Sequence, residues 1–299
     1  MVLETTLCGK SLKSPLILGS GTLGERKQAL IKSLGYGAGA VVSRTLRVDN
    51  TGREVFRPSS YIEEGYMLNA DNTNITPWTY WIDEIGDVER SGPLVMSLSA
   101  RNPDDCDMIV LEFEAHNKPS FYEVNFSCSH SARLYGRISY RDAERSLKNV
   151  RRHTSSPVFL KFSIDDLRPD EARDLEPYFD AYVVSNTIGP GMKIDVNSRR
   201  PAVGSLFGGL SGAAIKPLVL AKIYELRQHT DKPIIGVGGI ETPEDVMEYI
   251  ILGCEAVQIY TAAHRRGVRV FDEIYKGLKT ELEKRGETVD SLRGTLRDS

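Results

Sequence analysis

Four clusters of residues in this chain carry groups that could do chemistry. The first is Asn125-Phe126-Ser127-Cys128-Ser129-His130, where an apolar run gives way to amide, hydroxyl, imidazole and one thiol. A thiol starts from a pKa of about 8.5 and can be tuned into a proton acceptor among polar neighbours at a strand end. A cysteine is more often a small core hydrophobe, so position leaves both roles open for Cys128, while Cys8, Cys106 and Cys254 are read as core. The second is Lys161, set inside Val158-Phe159-Leu160-Lys161-Phe162. A buried ammonium is costly unless paired. This one either snorkels to the strand end or points at a bound group and stabilises negative charge there. The third comprises Asn69, Asn125 and Asn186-Thr187, whose amides each offer two donors and an acceptor, a match for an imide-like ring; a single asparagine is commonly a turn residue. The fourth is Gly238-Gly239 with Tyr260-Thr261, which close two successive apolar runs, and Gly208-Gly209-Leu210-Ser211-Gly212, where Gly212 adds a further backbone donor. Glycine lets an anion approach backbone N–H groups, and adjacent loops of this kind build phosphate sites at barrel mouths.

The elements that must position these clusters are legible as alternating patterns. Short, β-branched apolar runs at 15–19, 40–43, 93–98, 121–126, 157–162, 181–186, 233–237 and 256–260 predict strands buried on both faces. Amphipathic stretches follow near 25–34, 76–88, 103–116, 141–153, 169–178, 212–229, 243–252 and 267–285. Thr242-Pro243-Glu244-Asp245 is a helix start, with proline at the first helical position and acids in the first turn. Eight such units in sequence predict an α/β fold, a (β/α)8 TIM barrel spanning 1–285, with 286–299 a polar, solvated tail. The connections 44–75 and 187–211 exceed ordinary βα loops and lie at the C-terminal mouth. Gly19-Ser20-Gly21-Thr22-Leu23-Gly24 formally matches a dinucleotide fingerprint. The later βα units have no natural place in a single nucleotide-binding domain of that type.

Bulk composition excludes several classes. At 299 residues and 40% hydrophobic content the chain can bury a large core, and a net charge of −3 gives no basic excess for gripping nucleic acid. No apolar stretch approaches the roughly 20 residues of a membrane helix. The start Met1-Val2-Leu3-Glu4-Thr5 shows no signal-peptide pattern, so the expectation is a cytoplasmic protein. The four cysteines form no C-x-x-C pair and the five histidines no metal-binding spacing, which argues against a zinc or iron–sulfur centre held by this chain alone.

Taken together the residues resemble the dihydroorotate dehydrogenases of the soluble, cysteine-base class, over nearly the whole chain. Ser20-Gly21-Thr22 resembles that family's flavin-binding S-G-T, Asn125-Phe126-Ser127-Cys128 its N-x-S-C, and Lys161 its strand-five lysine. Asn186-Thr187, Gly191-Met192, Asp195, Arg200-Pro201, Gly208–Gly212 and Ile215-Lys216-Pro217 follow its later signature, and Gly238-Gly239 with Thr261 its phosphate positions. The resemblance implies FMN and oxidation of dihydroorotate to orotate in pyrimidine (UMP) biosynthesis. Cys128 would take the C5 proton while hydride passes from C6 to flavin N5, and Lys161 would hold the charge of the reduced ring. It further implies that Ser20, Gly21, Arg44, Thr45, Ser97, Asn125, Lys161 and Ser185 line the flavin. Gly212, Gly238, Gly239, Tyr260 and Thr261 would hold its phosphate. Arg44, Asn69, Ala70, Asp71, Asn72, Thr73, Asn125, Asn186 and Thr187 would bind substrate. A homodimer is implied, and NAD would be reached only through an iron–sulfur/FAD subunit, with fumarate or a quinone as direct alternatives. The chain departs from the family at Arg44 (lysine there), at Ser97 (asparagine), at Ser129-His130 after the cysteine and at Asp71-Asn72 in the substrate loop. Those changes keep two other readings open: a flavoenzyme for another reduced pyrimidine or cyclic amide, and a flavin-binding barrel without chemistry.

Overall fold

Alternate residues of each apolar run face opposite ways, and the two faces meet different neighbours. A computed structural model of the chain, which describes residues 2–48, 58–70, 76–126, 138–166 and 169–297, closes the runs into one parallel barrel. In chain order its strands are Leu16–Leu18, Ala40–Val42, Leu94–Ser99, Phe121–Asn125, Val158–Phe162, Ala181–Val184, Ile234–Val237 and Ala256–Ile259, and the eighth pairs with the first. Outward residues such as Leu94, Met96, Leu98, Tyr122 and Leu160 join the helices in the larger core cluster. Inward residues such as Val95, Phe121 and Phe159 form a second cluster inside the barrel. The fold is therefore a (β/α)8 barrel, and the dinucleotide-fingerprint reading of Gly19–Gly24 falls away, since that segment leads into a short 3-10 helix at Thr22–Gly24 within the barrel and not into a Rossmann unit.

Helix boundaries follow local chemistry. In Pro243–Ile251 the Thr242 hydroxyl accepts from the Asp245 N–H and the Asp245 carboxylate accepts from the Thr242 N–H, a reciprocal cap with proline at the first position. The expected helix over 169–178 is shorter, Pro169–Asp174, followed by a 3-10 turn at Glu176–Tyr178. After the eighth strand comes a short extra helix, Thr261–Arg266, before the long Val270–Arg285.

Three additions were not expected. A hairpin, Thr5–Leu7 with Lys10–Leu12, stoppers the foot of the barrel, and Leu7 and Leu12 enter the interior cluster. Full burial of such side chains stabilises by about 1.5–3 kcal/mol each. The two long connections at the mouth pair with each other as an antiparallel sheet in the order Ile188–Gly191, Gly208–Ser211, Tyr66–Asn69, Ser60–Glu63. At the C-terminus, the segment read as a solvated tail folds back: Val289 and Leu292 are buried in the core, and the Val289 N–H bonds the Val2 carbonyl. The sequence misled because only two apolar residues in a polar stretch make that contact. Among the described residues no helix is long and apolar enough to cross a membrane.

Candidate active site

Inward positions change character along the strands. Strand three reads Val95, Ser97, Ser99 inward; strand four Phe121, Glu123, Asn125; strand five Phe159, Lys161; strand eight Ala256, Gln258, then Tyr260 just past its end. The barrel interior is thus apolar at the foot and polar toward the mouth, where a cavity of about 200 Å³ opens. That gradient puts the polar side chains at the C-terminal face, the end where barrels of this type carry their sites.

Lys161 is held at the floor of this cavity. It is 4% exposed, donates to Gln258 Oε1 at 2.8 Å and lies 3.5 Å from Glu123 Oε1. Glu123, wholly buried, accepts from Gln258 Nε2 at 2.7 Å and from the Ser97 hydroxyl at 3.0 Å. Above this layer the amides meet: Asn186 Nδ2 donates to Asn125 Oδ1 at 3.0 Å, and Asn125 Nδ2 to Thr45 Oγ1 at 3.1 Å. The Thr45 hydroxyl lies 3.0 Å from that of Ser97 and 3.2 Å from that of Ser20. Arg44 reaches the same cavity, with Nη1 bonded to Glu25 Oε2 at 2.6 Å, so a carboxylate accompanies its charge.

The opposite end of the cavity is an anion cradle. Gly238 and Gly239 line it, and neither donates its N–H to another backbone group among the described residues. Gly239 has φ +68, and a Cβ there would come within 2.6 Å of Lys216 Cβ, so only glycine fits. Thr261 opens the short extra helix beside these glycines and turns its hydroxyl to Ser211 at 3.0 Å. The Tyr260 ring lies against Gly21, where any Cβ would be 2.2 Å from the ring, and its hydroxyl accepts from the Thr22 N–H at 2.8 Å. Free N–H groups at a helix start with closely approached glycines fit a phosphate. The buried cation and amides at the other end fit a ring carrying carbonyl and imide edges. The donor set therefore pairs an anion-binding rim with a polar, cationic floor in one cavity.

Of the residues expected here, Ser20, Gly21, Arg44, Thr45, Asn69, Asn125, Lys161, Ser185, Asn186, Thr187, Gly212, Gly238, Gly239, Tyr260 and Thr261 all line this one cavity. Ser97 stands behind Thr45, wholly buried, and Ala70 packs with Leu68 and Val203 instead of reaching the wall. Cys128, Asp71, Asn72 and Thr73 lie outside the described residues, as do Ser129 and His130. Burial pushes the thiols of Cys8 and Cys106 up to about 12, the former also through the Asp180 and Glu255 carboxylates, and Cys254 is raised further by burial. None of these three is a base near neutrality. Sequence reasoning missed Glu123 and Gln258, although each interrupts an apolar strand as Lys161 does, and it missed Arg47, which also lines the cavity. Among the described residues no group of three or more His, Cys, Asp or Glu could hold a metal.

Fold and site together define a (β/α)8 barrel with a buried cation, clustered amides and an anion cradle at its mouth. A family model described as "Dihydroorotate dehydrogenase" matches residues 2–282. Similar proteins include the "Dihydroorotate dehydrogenase B (NAD(+)), catalytic subunit" of Methanothermobacter thermautotrophicus, 30% identical with 99% of each chain covered. Proteins of the same description from Thermoplasma acidophilum, 33% identical over 94% of each chain, and Thermoplasma volcanium, 32% identical over 98% of this chain and 97% of that one, are also similar. This chain belongs to the dihydroorotate dehydrogenase family. That is a family of flavin-dependent oxidoreductases acting on a CH–CH donor.

Proposed function

We propose that this chain oxidises dihydroorotate to orotate in pyrimidine biosynthesis, with FMN as its flavin. The observation that carries this reading is the meeting, in one cavity, of a buried lysine, three asparagines and the Gly238-Gly239 cradle, in a chain of this family. When bound, FMN supplies the hydride acceptor for C6 of the substrate. Gly212, Gly238, Gly239 and Thr261 hold its phosphate, Tyr260 braces the Ser20-Gly21-Thr22 turn, and Lys161 offers a cation to its ring. Asn69, Asn125, Asn186 and Thr187 orient the substrate's carbonyl and N–H edges through paired donors and acceptors. Cys128, just past Asn125 in sequence, takes the C5 proton, the role that no described thiol can fill.

The relatives' description as an NAD(+)-linked catalytic subunit supports an electron-transfer partner subunit carrying iron–sulfur and FAD groups. No C-x-x-C pair in this chain could hold such a cluster. We extend the proposal to a homodimer in the cytoplasm. The test is one purification: yellow protein with an FMN spectrum that bleaches under anaerobic dihydroorotate supports the reading, and colourless protein that takes up no added FMN overturns it. One observation favours a second reading. Arg44 is neutralised by Glu25 at 2.6 Å, which suits a less anionic reduced pyrimidine or cyclic amide; bleaching by dihydrouracil but not by dihydroorotate would select it.

A further inference from the structure

Four inward side chains on four strands meet at the floor of the cavity: Ser97 on strand three, Glu123 on strand four, Lys161 on strand five and Gln258 on strand eight, the last two lining it. All are buried, with exposures of 0%, 0%, 4% and 1%. The layer beneath them is apolar, built from Val95, Phe121, Phe159 and Ala256. A buried carboxylate costs several kcal/mol to desolvate, and an apolar residue at position 123 would simply continue that layer. The fold therefore does not need Glu123, and the reason for it lies above.

The hydrogen bonds show what it does. Gln258 is a bridge with fixed polarity: its Nε2 donates to Glu123 Oε2 at 2.7 Å, which turns its Oε1 to accept from Lys161 Nζ at 2.8 Å. Ser97 fixes the other carboxylate oxygen at 3.0 Å, the one that lies 3.5 Å from Lys161 Nζ. An ammonium has three donors. One is given to Gln258 while the charge pairs with Glu123 at 3.5 Å, and the ammonium retains donor capacity for the cavity that Lys161 lines. We infer that Glu123 is a positioning residue, acting through Gln258, that aims Lys161 at the flavin ring and offsets part of its charge, so that the pair sets the reduction potential of the bound flavin.

This inference rests on the FMN reading above, and its test separates the two failures. Reduction potentials of bound FMN are measured by spectroelectrochemistry in wild type, Glu123→Gln, Glu123→Asp and Gln258→Met. In Glu123→Gln the isosteric amide leaves the Lys161 cation uncompensated, so the reduced flavin gains. The expected shift is upward by at least tenfold in the oxidised–reduced equilibrium, about 30 mV for a two-electron couple. Glu123→Asp keeps the charge and moves the potential back toward wild type. Gln258→Met removes the bridge, lets Lys161 close on Glu123 and shifts the potential down; it stands as the test on its own should Glu123→Gln fail to fold. Unchanged potentials in folded, FMN-loaded variants overturn the inference and leave the function standing, whereas wild type that binds no FMN overturns the function.

Discussion

Lys161 shows how a single side chain can be both a cost and a tool. An ammonium inside an apolar strand persists because Gln258 accepts from it and Glu123 pairs with its charge, and removing one partner of such a pair costs about 3–5 kcal/mol. Lys161→Ala should therefore lower the melting temperature and weaken FMN binding or slow flavin reduction. Normal melting, binding and reduction together would return Lys161 to a packing role. Cys128→Ala should keep the yellow colour and lose about 10²–10⁴-fold in turnover near neutral pH, the usual worth of a general base. Stopped-flow reduction by dihydroorotate measures this, and an unchanged rate removes Cys128 from the mechanism. At this scale the sequence was legible where a residue broke a pattern. Lys161 stood out in an apolar strand, and Glu123 and Gln258 carried the same signal in Phe121-Tyr122-Glu123-Val124 and Ala256-Val257-Gln258-Ile259. The Arg44–Glu25 pair was not legible, because nothing local marks two charges 19 residues apart as partners.

Among the elements, the loop from Gly238 to Thr242 depends on one carboxylate. Asp245 accepts from the Glu241 and Thr242 N–H groups, each at 2.8 Å, and pairs with the Lys216 ammonium. Burial alone would raise its pKa, but the Lys216 ammonium and the two backbone donors outweigh it and hold the carboxyl below the usual range. A depressed folded-state value means that its stabilisation is full above the unfolded carboxyl value of about 3.9 and is lost as pH falls through the folded one. Asp245→Asn should cost about 1–2 kcal/mol near neutrality, with the two melting curves converging below about pH 3. A constant gap down to that pH would contradict the assignment. Barrel strands and the Thr242 cap were legible because each carries a local chemical signature. The mouth sheet was only half so: Ser60–Glu63 and Tyr66–Asn69 are rich in aromatic and apolar residues about a Glu64-Gly65 turn. Ile188–Gly191 and Gly208–Ser211 contain glycine and proline that ordinarily speak against strands, and they pair only because the partner loop lies alongside.

For the whole molecule, eight repeats of one pattern dictated closure, and the ends of the chain escaped that logic. Val289 and Leu292 seal the core near Val2, so deleting residues 287–299 should lower stability by about 3–6 kcal/mol from lost burial. Thermal melting measures this; an unaltered transition would show the segment to be dispensable. The hairpin at the other end has a consequence for traffic. With Leu7 and Leu12 wedged into the foot of the barrel, that end is closed to passage. Reactant and product alike are left to come and go at the mouth, where the polar cavity lies.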